Sequence, residues 1–146
     1  MKVLITGHDG YIGSVLTPMV RDAGHEVAGL DAFLFEGCAL GPEPDAVPDR
    51  RVDVRDVEID HLRGFDAVVH LAALSNDPLG SLDPARTFEI NHMGSARMAH
   101  AAKRAGGCAT VIVASFPCER WNSTSLDRST SETPSPYVSM KVSSPR

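Results

Sequence analysis

Lys2-Val3-Leu4-Ile5-Thr6-Gly7-His8-Asp9-Gly10-Tyr11-Ile12-Gly13-Ser14 is the stretch on which the reading of this chain turns. Lys2 to Thr6 is a short apolar run, the pattern of a buried strand. It stops at a glycine, and helical spacing takes over: Ile12, Val15, Leu16, Met19, Val20 and Ala23 predict a helix over Tyr11 to Ala23, closed by Gly24. Pro18 lies inside that helix and is expected to cost or kink it. Glycine at the end of a strand permits a tight turn. A second lets a backbone approach a phosphate, and a third lets helix and strand pack closely. The helix N-terminus behind them offers free N–H groups and partial positive charge to an anion.

Working outward, Glu26 to Leu30 reads as a second strand, with Asp31 directly after it. Residues 32–50 hold Gly37, Gly41, Pro42, Pro44 and Pro48 and no period, which predicts a long loop. Arg51 to Asp53 reads as a short third strand, Asp56 to Arg63 as a short helix or turn, and Asp66 to Leu71 as a fourth strand. Asp83-Pro84 is a helix start, an acidic cap followed by proline at the first helical position. That helix is expected to reach Ala105, before Gly106-Gly107, with Ile90, Met93, Ala96, Arg97 and Ala101 marking its opposite faces. Thr110 to Ala114 reads as a fifth strand. Apolar strands alternating with helices imply an α/β fold, a doubly wound parallel sheet of order 3-2-1-4-5. From Phe116 the composition turns to Ser, Thr, Pro and Arg. Residues 1–115 are therefore read as one nucleotide-binding domain and 116–146 as an irregular tail.

The chain has 146 residues, a one-domain length, and a formal net charge of -5. An acidic chain without a basic stripe is a poor nucleic-acid binder. No apolar run is long enough for a membrane span or a signal peptide. Cys38, Cys108 and Cys118 are odd in number and spaced unlike a disulfide framework or a zinc site, which points to a reducing, cytoplasmic setting. No metal is expected. His25, His61, His92 and His100 lack metal-like spacing, and Cys108 reads as a small core residue.

Gly7, Gly10 and Gly13 in a strand–turn–helix context point to a nucleotide diphosphate. Asp31, at the end of the second strand, is placed to accept the adenine-ribose hydroxyls and to repel a 2′-phosphate. The residues that follow are Ala32-Phe33-Leu34, with no arginine, so the coenzyme is expected to be NAD rather than NADP. His8, in the turn, either touches phosphate or is a solvated turn residue. His70 reads as a satisfied strand-end histidine.

These features resemble the NAD-dependent epimerase/dehydratase family, the extended short-chain dehydrogenases with a Rossmann domain. Gly7, Gly10 and Gly13 match its GxxGxxG pattern, with Tyr11 and Ile12 between the last two. Asp53-Val54-Arg55-Asp56 is similar to its adenine-contact motif, in which Asp53 and the Val54 backbone would face the adenine edge. His70-Leu71-Ala72-Ala73 is similar to its fourth-strand motif, with Leu71, Ala72 and Ala73 along the cofactor, and Asn91 matches an Asn of the following helix. Ala72 to Pro78 looks like a subgroup of sugar-nucleotide epimerases, and Asn76 and Asp77, after the C-terminal end of the fourth strand where ligands sit in this fold, are candidates for substrate contact. The resemblance implies bound NAD, a nucleotide-sugar substrate, transient hydride transfer and a homodimer. It also implies a base, Tyr137, activated by Lys141 in Tyr137-Val138-Ser139-Met140-Lys141, with Ser115 as hydroxyl donor to the sugar.

Three departures stand beside it. Phe116 occupies the place of the family's catalytic Ser or Thr, and Ser115 falls one position early. Pro145 comes four residues after Lys141. The family is roughly twice this length, as two-domain enzymes are, so the substrate domain is expected to be missing through truncation or a frameshift near residue 116. Two other readings follow: an NAD-binding module without catalysis, and an S-adenosylmethionine methyltransferase. The Asp53 and Tyr137/Lys141 motifs argue against the latter.

Overall fold

In the computed structural model, residues 1–38, 46–75 and 82–106 are described in full, and Thr110–Val113 by backbone. Five parallel strands form one sheet: β1 (Lys2–Thr6), β2 (Glu26–Asp31), β3 (Asp49–Arg51), β4 (Ala67–His70) and β5 (Thr110–Val113). Their order is β3-β2-β1-β4-β5, the doubly wound arrangement expected from the alternation of elements. Register is set along β1, where Thr6 lies between Leu30 and His70. Backbone bonds from Asp66 N–H to the Lys2 carbonyl and from Leu71 N–H to the Thr6 carbonyl extend the β1–β4 ladder beyond both ends of β4.

The period-2 alternation of each strand divides the core into two. Leu4, Leu30 and Val68 face one side and join Val54, Val57, Leu62, Phe65, Ile90, Met98, Ala101 and Ala102. Val3, Ile5 and Val27 face the other, against Val20 of helix α1 (Gly13–Asp22). Helix α1 runs through Pro18 and ends before Gly24, whose φ is +86°. It buries Gly13 and Thr17 and leaves Val15 and Met19, each 61% exposed, on its outer side. The apolar arc read from spacing is thus turned partly away from the sheet, because the closest approach is made at Gly13.

Two expectations need correcting. The third strand comes two residues earlier than predicted, at Asp49–Arg51, because Asp53 is taken by a cap: its side chain accepts the Arg55 N–H at the start of a 3₁₀ turn, Val54–Asp56. A second 3₁₀ turn, Ile59–His61, falls within the stretch read as a short helix or turn. The long helix after Asp83 is not uniform. It consists of α2 (Pro84–Phe88), a π-helical stretch Glu89–Gly94, and α3 (Ser95–Ala105). Its start is as expected, with Asp83 accepting the Arg86 N–H at 3.0 Å and proline inside the first turn.

The π stretch is held by specific contacts with other parts of the chain. The Asn91 side chain reaches Leu74, its Oδ1 accepting the Leu74 N–H at 2.8 Å and its Nδ2 donating to the Leu74 carbonyl at 2.9 Å. The Ser95 hydroxyl donates to the Asn91 carbonyl at 2.6 Å. Gly94 lies against Val54, where a Cβ would come within 2.9 Å of the valine Cγ2.

Candidate functional site

The C-terminal ends of β1, β2 and β4 meet at the glycine turn. The Gly7 N–H donates to the Leu30 carbonyl at 2.9 Å, and Gly7 holds φ +70°. A Cβ there would stand 2.7 Å from the Ala72 nitrogen, so the Leu71-Ala72-Ala73 segment abuts the turn. Gly10 donates to the Gly7 carbonyl at 3.1 Å, and Ser14 donates to the Gly10 carbonyl at 2.9 Å. A Cβ on Gly13 would overlap the Gly7 carbonyl oxygen and lie 2.6 Å from the His8 Cα. The turn can close this tightly on α1 only with hydrogen at that position. Tyr11, 95% exposed, and Ile12 lead into α1, whose N-terminus carries the positive end of the helix dipole and whose Val15 N–H donates to the Ile12 carbonyl at 3.2 Å.

Asp31 is the last residue of β2 and stands beside this turn. Its Oδ2 accepts the Asp9 N–H at 3.1 Å, and its Oδ1 accepts the Phe33 N–H at 2.9 Å. A carboxylate has about four lone-pair sites, so each oxygen keeps one for another donor. Glycine turn and acid therefore sit together at the crevice beyond the strand ends, where doubly wound sheets bind ligands.

Asp53 is committed locally. Arg55 donates to it from Nε at 3.1 Å and from Nη2 at 2.7 Å. This hydrogen-bonded guanidinium holds the Asp53 carboxyl below the usual carboxylate range, and the same pair raises Arg55. The Val54 side chain is buried in the core. Asn91, with both ends of its amide on Leu74, braces the segment after β4.

Beneath the turn lies a buried polar chain whose direction the donors fix. The Ser95 hydroxyl gives its proton to the Asn91 carbonyl, so at 3.1 Å it accepts from His70 Nε2. The His70 Nδ1 then accepts from the Thr6 hydroxyl at 2.6 Å, and the Thr6 oxygen accepts the Ala72 N–H at 3.4 Å. His70 is thus a satisfied histidine, assigned as the Nε2–H tautomer by its neighbours. Burial lowers its pKa from 6.5 to about 4.

His8 is not a solvated turn residue. Its side chain is 9% exposed, and its ring fills the space over Gly29. A glycine in mid-strand marks a close approach, and that was the signal in the sequence. Ser115, Tyr137, Lys141, Asn76, Asp77, Cys108 and Phe116 lie outside the described residues. Among the described residues no group of His, Cys, Asp and Glu could hold a metal ion, and no helix is long and apolar enough to cross a membrane.

A parallel α/β sheet with a glycine turn and an acid at the neighbouring strand end is the Rossmann arrangement of the short-chain dehydrogenase type. The chain belongs to the NAD dependent epimerase/dehydratase family, whose sequence model matches residues 3–144. It is 30% identical over 115 residues to a UDP-glucose 4-epimerase of Klebsiella pneumoniae, a match over 73% of this chain and 83% of that one. A UDP-glucose 4-epimerase of Mycolicibacterium smegmatis is 30% identical over 112 residues, 73% of this chain and 36% of its own. Among solved structures, the Thermus thermophilus UDP-glucose 4-epimerase complex with NAD is 35% identical with a TM-score of 0.62, and this chain covers 35% of it with 73% of its own length. The Stenotrophomonas maltophila UDP-glucose 4-epimerase with bound NAD and formylated UDP-arabinopyranose is 29% identical with a TM-score of 0.67, over 77% of this chain and 36% of that one. The chain thus spans about a third of each of these two solved chains.

Proposed function

We propose that this chain binds NAD and acts as the coenzyme-binding half of a nucleotide-sugar epimerase or dehydratase. The observation that carries the reading is the juxtaposition of the glycine turn with Asp31, whose two oxygens are fixed by the Asp9 and Phe33 amides. The fit is chemical as well as topological. Backbone replaces side chain at Gly7 and Gly13, where any Cβ would collide with neighbouring backbone. The amides of the turn, with Tyr11 and Ile12, would hold the diphosphate, and Asp31 the adenine ribose. Leu71, Ala72 and Ala73 would line the coenzyme, with Asn91 bracing them and Asp53 and Val54 near the adenine.

When bound, NAD would supply a hydride acceptor for a sugar alcohol. In that reading Tyr137 is the general base, Lys141 activates it and Ser115 holds the sugar hydroxyl. A nucleotide sugar is the substrate class and a homodimer the assembly that accompany it, with residues 1–115 as the coenzyme domain and 116–146 as a tail carrying the Tyr-x-x-x-Lys pair. Phe116, in the place of the hydroxyl residue, favours a second reading: an NAD-binding module that turns no sugar over.

Calorimetric titration with NAD, NADP and S-adenosylmethionine tests the first claim. NAD is expected to bind with clear preference, and uptake of S-adenosylmethionine alone would sink it. Asp31→Asn keeps one acceptor but loses the charge. It is expected to weaken NAD about tenfold, the scale of one charged hydrogen bond, and to narrow the gap to NADP. Incubation of the NAD-loaded chain with UDP-glucose separates the two readings by the appearance of an epimerised or dehydrated sugar.

A further inference from the structure

Every ionisable residue of α3 is basic. Arg97, His100, Lys103 and Arg104 stand among its 11 residues without one acid, in a chain whose net charge is -5. A surface helix gains from acids three or four residues from its bases. Around Arg97 those places hold Met93, Gly94, His100 and Ala101, and on the N-terminal side of Arg104 they hold His100 and Ala101. Lys103 and Arg104, in the last turn, suit the negative end of the helix dipole. Arg97, two turns earlier, has no such reason to be there.

Arg97, His100, Ala101 and Arg104 fall at i, i+3, i+4 and i+7, on one face of α3. That face borders a cleft of about 440 Å³, with residues 57–60 and Arg63 on the other side. Val57 and Ala101, both buried, give the cleft apolar lining. Of the two acids opposite, Asp60 is taken by Arg63 at 3.0 Å, and Glu58 is left over. Among the described residues neither Arg97 nor Arg104 makes an ion pair, so the α3 wall carries two unmatched guanidinium charges. The cleft is separate from the coenzyme crevice. α3 begins beside the C-terminal end of β4, where Ser95 meets His70, and runs back toward the first residue of β5. Arg104 is therefore at the opposite edge of the sheet from the glycine turn.

We propose that this cleft is a second anion site, which takes a small ligand with two phosphoryl groups, one held by Arg97 and the other by Arg104. Guanidinium forks match phosphoryl oxygens two at a time, and they are weakly hydrated for a cation. Seven residues of helix set the two Cα atoms about 10 Å apart, near the span of a six-carbon sugar phosphorylated at both ends. The volume is that of a small-molecule site. Apolar lining between two charged ends suits a carbon skeleton between two phosphates better than a single inorganic ion. The proposal is independent of the NAD reading, since neither arginine borders the turn or Asp31.

The test is calorimetric titration of the full chain with fructose 1,6-bisphosphate, pyrophosphate and inorganic phosphate, all at an ionic strength of about 0.15 M so that screening is equal. The bisphosphate is expected to bind about tenfold or more tightly than inorganic phosphate, with pyrophosphate between them, because a second charge-assisted contact is added. Arg97→Gln and Arg104→Gln should each weaken the bisphosphate about tenfold, the scale of one such contact. The double variant should bind it no better than inorganic phosphate. Lys103→Gln removes the same charge from α3 outside the cleft and should cost less than about twofold, since a screened charge acts weakly at a distance. Urea midpoints establish that each variant folds, and NAD affinity should be the same in all of them. Bisphosphate binding no tighter than that of phosphate overturns the site, as does equal affinity in the parent and the folded double variant. An equal loss in Lys103→Gln reduces the effect to net charge and overturns it too. Failure of the parent to bind NAD would sink the coenzyme reading and leave this site standing.

Discussion

Gly13→Ala is expected to remove coenzyme binding almost entirely, by about a hundredfold or more, and to destabilise the fold by about 3 kcal/mol. The added carbon would overlap the Gly7 carbonyl oxygen and press on the His8 Cα, which are backbone atoms of the turn itself. They cannot yield without opening the Gly10-to-Gly7 hydrogen bond and swinging the N-terminus of α1 off the strand ends. Gly24→Ala is the matched control. Unlike Gly13, that glycine has positive φ, +86°, but nothing stands within 4 Å of its added carbon. It is expected to lose only about 1 kcal/mol of conformational energy and to bind NAD as the parent does. Urea unfolding and calorimetry on the two variants read both effects. Equal NAD affinity in Gly13→Ala and the parent would mean that the turn does not cradle the diphosphate.

Acid is expected to weaken the fold through His70. In the unfolded chain this imidazole takes up a proton near pH 6.5, but in the folded protein only near pH 4, because burial disfavours its charge. Between those values the unfolded state binds more protons. Stability is therefore complete above about pH 6.5 and falls by about 1.4 kcal/mol for each unit of acidification until the folded pKa is reached. The whole window amounts to about 3 kcal/mol, a large part of a small domain's stability. Protonation would also reverse the chain, since an imidazolium cannot accept from Thr6 at Nδ1. His70→Gln, neutral at every pH, is expected to start less stable at pH 7 and to lose much less on going to about pH 4.5. Parallel declines of the urea midpoint in the two proteins would assign the acid sensitivity elsewhere.

The strands and their order were legible because β1, β2 and β4 are compact apolar runs, each bounded by a glycine or a charged residue, and because right-handed crossovers leave few ways to arrange them. The turn and Asp31 were legible because their chemistry is local. β3 was displaced because Arg51 to Asp53 has strand-like spacing, while the capping bond of Asp53 to Arg55 belongs to the next turn. The π-helical stretch had no periodic signature: its causes are the contacts of Asn91 with Leu74 and of Gly94 with Val54, which are remote in sequence. His8 was ambiguous for a related reason. Its burial depends on the missing side chain of Gly29, and only the pairing of β1 with β2 brings the two together.

The sheet's two faces are unequally fastened, and the inequality falls on the element that carries the glycine turn. The π-helical stretch and α3 rest on the larger cluster, pinned further by Asn91 and Ser95, whereas among the described residues α1 alone covers the smaller one. Local opening free energy follows buried apolar contact. The amide protons of α1 should accordingly exchange with solvent through partial detachment, well before those of β1, β4 or α3. A ligand gripped by the front of α1 would close that exchange route first, so occupancy becomes a structural tie as well as a chemical resource.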